Sequence, residues 1–389
     1  MDLTFVTECR FYKTPDGKYY ADDMSYTNSL WERYLKEFDN INVIARVFET
    51  SEKFDESFLV DNVNFCPIHP FDSIFSFAKN RSKVKKGLRK YLSKDTVTII
   101  RGAGPLGYMA TGICKQQKIN FGIEIIGDPY EVYAPGVVTH PLRPVLRKLF
   151  TDFQKKAVRR ASAVIYVTKY SLQKRYPALS GVYTTFASDV FLNEKKIATQ
   201  HKKISIENGK PNLISIGSLN QMYKSPDILI KAVKLLKDKG IQAQLVWLGN
   251  GKFQPDMEEL AKNLGLGDDV IFPGAVSSDE VTRFLDASDI FLLVSRTEGL
   301  PRAVVEAMAR GLPCIGTNVG GIPELLQKEV LVQPESAEEI SDMIEYFLSN
   351  ADFSNNQAAI NLENSKDYSF EVLDSKRSDF YRFLKTNHK

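Results

Sequence analysis

Cysteine is scarce and scattered. Cys9, Cys66, Cys114 and Cys314 are the only four in 389 residues. No CxxC occurs, and each cysteine lies in or beside an apolar run. That excludes a disulfide scaffold and a thiolate metal site, and predicts buried free thiols. Histidine is equally sparse, and His69, His140, His201 and His388 show no metal-ligand spacing. Charge of one sign is missing too: 51 Lys and Arg face 48 Asp and Glu, a net charge of +3, so no global basic field points to nucleic acid. No apolar run approaches the length of a membrane span. The opening residues MDLTFVTECRFYK lack the basic and apolar regions of a signal peptide. The expected location is therefore cytoplasmic, with peripheral contact at the inner face of the plasma membrane left open. There is no Asp-x-Asp triplet, no short repeat and no low-complexity segment.

The length predicts two domains. From Asn212 onward, apolar runs of strand length alternate with helical patterns: strands at Asn212–Gly217, Ala243–Gly249 and Asp269–Phe272, and helices at Pro226–Lys239, Asp256–Leu264 and Ser278–Ala287. The first half carries strand candidates at Leu3–Thr7, Ile41–Val47, Asn62–Cys66, Thr96–Ile100, Asn120–Ile126 and Ala163–Thr168. Alternation of this kind implies α/β architecture with two doubly wound parallel sheets. Val190–Lys210, polar and lysine-rich, ends Glu207-Asn208-Gly209-Lys210-Pro211 and is the expected inter-domain linker. The tail Phe370–Leu384 is amphipathic and suits packing back onto the first domain.

The densest pattern is Asp289–Leu326, DIFLLVSRTEGLPRAVVEAMARGLPCIGTNVGGIPELL. It reads as a strand at Asp289–Val294, a loop at Ser295–Leu300, and a helix over Ala303–Arg310 with Pro301 at its first position and Gly311 ending it. A strand at Pro313–Thr317 and a glycine loop into a helix near Pro323 complete it. A loop between a strand end and a helix start is where open α/β sheets bind ligands, and such a helix start favours an anion. Two carboxylates, Glu298 and Glu306, frame it. For Glu306 the competing explanation is a solvated ion-pair ladder, Arg302–Glu306–Arg310. A second anion site is expected after Asn212–Gly217. There Ser225 suits an N-cap, Pro226 the first helical position, and Lys224 sits beside a helix start, where a structural lysine is misplaced.

Three other features carry chemistry. Arg101-Gly102-Ala103-Gly104-Pro105-Leu106-Gly107 is a literal G-x-G-x-x-G after a strand. As a dinucleotide site it calls for an acid on the next strand, where Glu124 and Asp128 lie. The alternative is a tight turn, or a close backbone approach to substrate by Arg101 and Gly102. Ile125–Gly136 is a turn-rich loop whose Asp128, Tyr130 and Tyr133 suit a sugar pocket, or whose Asp128 caps a turn. Ile74–Leu92 and Arg143–Arg160 are basic helices. Each reads as a solvated face or as a surface for anionic headgroups.

The segments Glu298-Gly299-Leu300-Pro301, Glu306-Ala307-Met308-Ala309-Arg310-Gly311-Leu312-Pro313 and Gly320-Gly321-Ile322-Pro323-Glu324 closely resemble the signature of family 4 retaining glycosyltransferases, with their E-x7-E motif. Gly217-Ser218-Leu219, Lys224-Ser225-Pro226-Asp227, Gly249-Asn250-Gly251 and Phe272-Pro273-Gly274 fit the same pattern in order. The resemblance covers roughly Asn212–Val332. It implies the GT-B fold, two Rossmann-like domains facing a cleft. Residues 1–190 would form an acceptor-binding domain, residues 191–369 a donor-binding domain, and a helix at about 370–389 would return to the first.

The implied activity moves a sugar from a UDP- or GDP-sugar to a glycan or lipid-linked acceptor, with retention and with no metal or cofactor. By position, Glu298 and Lys224 would be catalytic, with Glu298 on the donor sugar and Lys224 on the diphosphate. Ser218, Asn220, Gly249, Gly299, Leu300 and Pro301 would surround the donor, Glu306 would hold the ribose, and the backbone near Gly274 the base. The family usually has Arg where this chain has Ser218, and Arg302 or Arg101 could replace that charge. The usual N-terminal glycine pair is absent, with Gly17 the nearest candidate, and His140 is one candidate for a cleft histidine. The implied acceptor side is Gly17, Arg101, Gly102, Asp128 and Tyr130. The alternatives are a sugar-nucleotide epimerase on the same fold, a dinucleotide oxidoreductase, and a non-catalytic nucleotide-sugar-binding protein.

Overall fold

Short apolar runs bounded by glycine and proline suit strands buried on both faces, and such strands need helices on both sides of a parallel sheet. A computed structural model describes residues 1–135, 137–138, 140–204 and 210–388. The chain divides into two units. One comprises Met1–Tyr130, Pro144–Ala187 and Ser375–Lys389, and the other Glu131–Arg143 and Ser188–Asp374. The divisions therefore fall at 187/188 and within the last helix at 374/375, against 190 and 369 expected from the sequence. The expected linker end Glu207-Asn208-Gly209 lies outside the described residues, as does Gly136.

In the first unit the strands are β1 Leu3–Lys13, β2 Tyr19–Ala21, β3 Ile41–Glu49, β4 Leu59–Val60, β5 Asn64–Ile68, β6 Val97–Arg101, β7 Phe121–Ile125, β8 Ala163–Tyr166 and β9 Tyr183–Phe186. Their parallel core runs β5-β3-β1-β6-β7-β8-β9. The strand order reverses between β1 and β6, as in doubly wound sheets. β1 is longer than the expected Leu3–Thr7. Its register shifts between Val6 and Arg10, and the strand then continues to Lys13 in an antiparallel hairpin with β2. Aromatic pairs hold this extension: Tyr19 stacks on Phe65 at 4.2 Å and Phe11 meets Phe65 edge-on at 4.9 Å. The end of the last helix, Phe370–Thr386, packs on the sheet of this unit. At Gly122 an added Cβ would lie 2.7 Å from Phe380, so only glycine lets the helix approach β7.

In the second unit the strands are β10 Asn212–Ile216, β11 Gln244–Leu248, β12 Val270–Gly274, β13 Ile290–Leu293, β14 Cys314–Thr317 and β15 Leu331–Val332. All pair in parallel in the order β12-β11-β10-β13-β14-β15. Every residue of β13 and β14 is buried. The helix Pro226–Asp238 buries Ile228, Leu229, Ala232, Val233 and Leu236, the spacing of one helical face. Beyond its end, Gly240 in the left-handed region lets Ile241 N–H reach Leu236 O at 3.0 Å. The helix Ser278–Ala287 starts with a full capping box between Ser277 and Glu280. The segment expected to link the units is pinned to this one. Ala198 N–H donates to Ala309 O at 2.7 Å, and Lys202 N–H to Gly311 O at 2.9 Å.

All four cysteines are free thiols; Cys114 and Cys314 are buried, whereas Cys9 and Cys66 are only half-buried. Among the described residues no helix is long and apolar enough to cross a membrane.

Candidate active site

The strand order of the second unit reverses between β10 and β13, so the loops leaving these neighbours diverge and open a crevice. Lys224 lies on one loop and Glu298 on the other. Their side chains form an ion pair, 11% and 7% exposed. Ser295 Oγ donates to Glu298 Oε1 at 2.7 Å, the oxygen that also meets the lysine, and Thr317 Oγ1 donates to Ser295 O at 2.7 Å. Glycines make room for the backbone of this loop. A Cβ at Gly320, whose φ is +54°, would fall on the Glu298 carbonyl oxygen, and one at Gly321 on that of Gly299. Gly321 N–H in turn donates to Gly299 O at 2.8 Å. Leu300 and Pro301 follow, and Pro301 occupies the N-cap of the helix Arg302–Ala309, one position earlier than expected.

The β10 loop is built the same way. A Cβ on Gly217 would lie 2.9 Å from Lys224 Cγ, so the lysine stem packs on bare backbone. Leu219 N–H donates to Asn250 O and Gly249 N–H to Gly274 O, at 2.9 and 2.8 Å. Asn220 Oδ1 accepts from Lys252 N–H at 3.2 Å. Trp247 Nε1 donates to Gly217 O at 2.9 Å. Ser218, where a cation was expected, turns its hydroxyl to its own loop and accepts from Asn220 N–H at 3.2 Å. Ser218 and Asn220 thus brace the loop through Gly249–Lys252. Ser225 departs from the N-cap reading. It holds the N-cap position, but at φ +55°, and its buried Oγ has no partner, so the entry is made by the Met222–Lys224 turn and Pro226.

Glu306 lies on the helix Arg302–Ala309, which follows the loop carrying Glu298. It lines a small pocket of about 40 Å³ with Leu192, Lys196, Ser278, Thr282 and Arg310. The ion-pair ladder is absent. Arg310 makes a fork to Asp286 (2.6 and 3.0 Å) and donates to Lys196 O, and Arg302 is exposed. Desolvation by burial raises the Glu306 carboxyl above its ordinary value, against the pull of Lys196 and Arg302.

Arg296 had no signal in the local sequence. Its backbone N–H donates to Tyr223 O at 2.7 Å, Nη1 to Met222 O at 2.6 Å, and its fork reaches both oxygens of Asp227 at 3.1 and 3.0 Å.

The first-unit candidates are engaged with partners of their own unit. Gly17 is the tip of the β1–β2 hairpin, with φ +86° and a Gly17 N–H to Thr14 O bond, so it is a turn glycine. Arg101 is buried, and its Nη1 donates to Glu124 Oε2 at 2.6 Å; Tyr34 Oη donates to the same carboxylate. Gly102 N–H donates to Glu124 O at 2.9 Å. Glu8 fills the helix start that a dinucleotide would need: its Oε1 accepts from Gly107 N–H at 2.8 Å, and a Cβ on Gly104 would lie 2.6 Å from the carboxyl. Burial raises the Glu8 carboxyl above its ordinary value. With that anion site filled from within and Glu124 tied to Arg101, the glycine motif reads as a packing device. Asp128 is buried, accepts from Tyr130 N–H at 2.9 Å, and is bonded by Arg175 and the Tyr176 hydroxyl. That is the turn-capping alternative. Tyr130 is 40% exposed and lies between the Arg147 and Arg175 guanidinium groups. His140 is exposed, and its Nδ1 accepts from Leu142 N–H.

Residues 196–363 match the family model described as Glycosyl transferases group 1. Over 381 residues, 97% of this chain and 94% of the relative, the sequence is 27% identical to Protein CapJ of Staphylococcus aureus. Over 159 residues, 41% of this chain and 40% of the relative, it is 34% identical to N-acetyl-alpha-D-glucosaminyl L-malate synthase of Bacillus anthracis. The structure matches Anabaena Alr3699/HepE in complex with UDP at a TM-score of 0.67 and 15% identity, covering 99% of this chain and 100% of that one. The fold is the GT-B fold of glycosyltransferases, and the matches support a place in that superfamily.

Proposed function

We propose that this protein is a retaining glycosyltransferase that moves a sugar from a nucleoside-diphosphate sugar to a hydroxyl acceptor. The carrying observation is the buried Lys224–Glu298 pair at the switch point of the second sheet. In this reading Lys224 and the amide groups at the start of the helix Arg302–Ala309 stabilise the leaving diphosphate, and no metal is required. Glu298 meets the donor sugar, while the acceptor oxygen bonds to the anomeric carbon on the face the diphosphate leaves. The anomeric carbon–phosphate oxygen bond breaks, and the acceptor's proton passes to a diphosphate oxygen. Glu306, unpaired in its cavity, accepts from the ribose hydroxyls, and the backbone near Gly274 faces the base. The first unit would take the acceptor. The UDP complex of the Anabaena neighbour and the group 1 match support a nucleotide-sugar donor.

The reaction would serve surface polysaccharide or glycolipid assembly on the cytoplasmic side. The helices Ile74–Tyr91 and Arg143–Val158 leave Phe75 and Val145 exposed at 70% and 62% among basic residues, which suits an anionic lipid surface. One panel tests these points: UDP- and GDP-sugars, with and without acceptor, and with anionic or zwitterionic vesicles. Nucleoside diphosphate released from one donor, with the sugar appearing on an acceptor, is expected. Epimerised donor without acceptor, or no consumption of any donor, would overturn the reading. Sedimentation indifferent to anionic lipid would remove the membrane part alone.

The raised Glu306 carboxyl gives a pH dependence with a definite sign. Only the ionised form accepts from both hydroxyls of a diol. Affinity for UDP or GDP should therefore weaken as pH falls through the window just above the ordinary carboxylate value. Glu306→Gln should bind about ten- to a hundredfold more weakly at neutral pH, in line with the ~1.5–3 kcal/mol of charge-assisted hydrogen bonds, and show no slope in that window. Calorimetry across pH reads both; parallel slopes for the two proteins would remove Glu306 from the ribose.

A further inference from the structure

We propose that Arg296 is a positioning residue, one that sets the geometry of Lys224 against Glu298 without touching substrate itself. The inference rests on the glycosyltransferase reading only for its kinetic consequence; the geometric claim stands separately. Lys224 ends the turn Met222–Lys224, and Glu298 lies two residues after Arg296 on the β13 loop. Besides the Lys224–Glu298 pair itself, Arg296 ties these two loops together. Its backbone N–H donates to Tyr223 O, and its Nη1 donates to Met222 O at 2.6 Å. The remaining donors fix the guanidinium in place. Nη1 and Nη2 grip Asp227, in the first turn of the helix Pro226–Asp238, and Nε donates to Glu335 at 2.6 Å.

The arrangement is demanding. The side chain is 15% exposed and joins three segments that are distant in sequence. Glu335 holds a left-handed backbone at φ +66°, a conformation a non-glycine residue keeps only where the surroundings impose it. A planar fork with several fixed donors is what arginine supplies and lysine does not. Arg296→Lys keeps the charge but loses the fork, so it removes the alignment and spares most of the burial. Aligned groups are sensitive: a displacement of about 1 Å can cost about a hundredfold in rate.

The test reads Lys224 directly. Brief acylation of the intact protein, followed by mass spectrometry, compares labelling of Lys224 with that of exposed Lys262 in wild type, Arg296→Lys, Arg296→Ala and Asp227→Asn. In Arg296→Lys the Lys224-to-Lys262 ratio should rise about fivefold with the melting temperature nearly unchanged, because the lysine is no longer held on its carboxylate. Donor turnover should fall at least about tenfold, in kcat more than in KM. Asp227→Asn should act in the same direction, and its effect should not add to that of Arg296→Lys, because the two share one fork. An unchanged labelling ratio in both Arg296 variants would overturn the proposal, and so would equal gains at Lys224 and Lys262. A wild type that consumes no donor would sink the proposed function, while the labelling ratio would still decide the role of Arg296.

Discussion

Glu298→Gln is expected to lower donor turnover by about a hundredfold or more while leaving affinity for UDP or GDP equal or higher. The substitution is nearly isosteric, and the amide can still accept from Ser295 Oγ, which lies 2.7 Å from the carboxylate in the wild type. The local fold should survive. What disappears is a full negative charge that is 7% exposed, in surroundings where charge is weakly screened. If that charge faces the sugar as the anomeric carbon becomes cationic, its loss falls mainly on kcat. The affinity prediction follows from the same pair. In the structure Lys224 is spent on Glu298, so an incoming diphosphate must compete with the carboxylate for the ammonium. Glutamine is a weaker competitor, and the lysine becomes more available to phosphate. Steady-state kinetics with calorimetry on one preparation separate the two effects. Full turnover would take Glu298 out of the chemistry. A large loss of nucleotide affinity would make it a binding group instead.

The second sheet was legible almost residue by residue, and the reason is physical. Parallel strands covered on both faces are short apolar runs cut by glycine and proline, and Asn212–Gly217 and Ala243–Gly249 have the length and the bounding residues of such strands. Lys224 stood out because a cation is misplaced beside a helix start, and Glu298 and Glu306 because they frame a loop at a strand end within a long family-like pattern. Most of the errors share a cause in contacts remote in sequence. The extension of β1 to Lys13 is held by Phe65, Phe48 and Phe54, and its alternation is interrupted by the register shift after Val6. Arg310 suited a ladder with Glu306 at helical spacing, yet Asp286 on another helix offers it a two-pronged partner. Ser225 suited a cap by residue type, but the preceding turn enters the helix through a left-handed residue. The glycine motif after β6 matched a known pattern, and only the fold brings Glu8 to fill it. Arg296 was invisible because its partners Asp227 and Glu335 lie 69 and 39 positions away.

Lys224→Met should nearly abolish turnover and also weaken the second unit, and the two losses should come apart in the double variant. Without the ammonium, Glu298 keeps only the Ser295 hydroxyl as a side-chain partner in a buried setting. Removing one member of a buried ion pair costs about 3 kcal/mol or more, because the remaining charge has lost its compensation. Methionine matches the lysine stem that packs on Gly217, so the cost belongs to the charge and not to a void. Adding Glu298→Gln removes the stranded carboxylate, and Lys224→Met/Glu298→Gln should recover most of the stability. Urea unfolding followed by Trp247 fluorescence in a Trp31→Phe background reads this locally, since the Trp247 indole donates to Gly217 O at 2.9 Å beside the lysine. Activity should not return with stability. The leaving diphosphate still lacks its cation, and a preorganised charge of this kind contributes about a hundred- to thousandfold to rate. A double variant no more stable than Lys224→Met would mean that the carboxylate does not depend on the lysine. Turnover by Lys224→Met above a tenth of wild type would place the departing charge elsewhere.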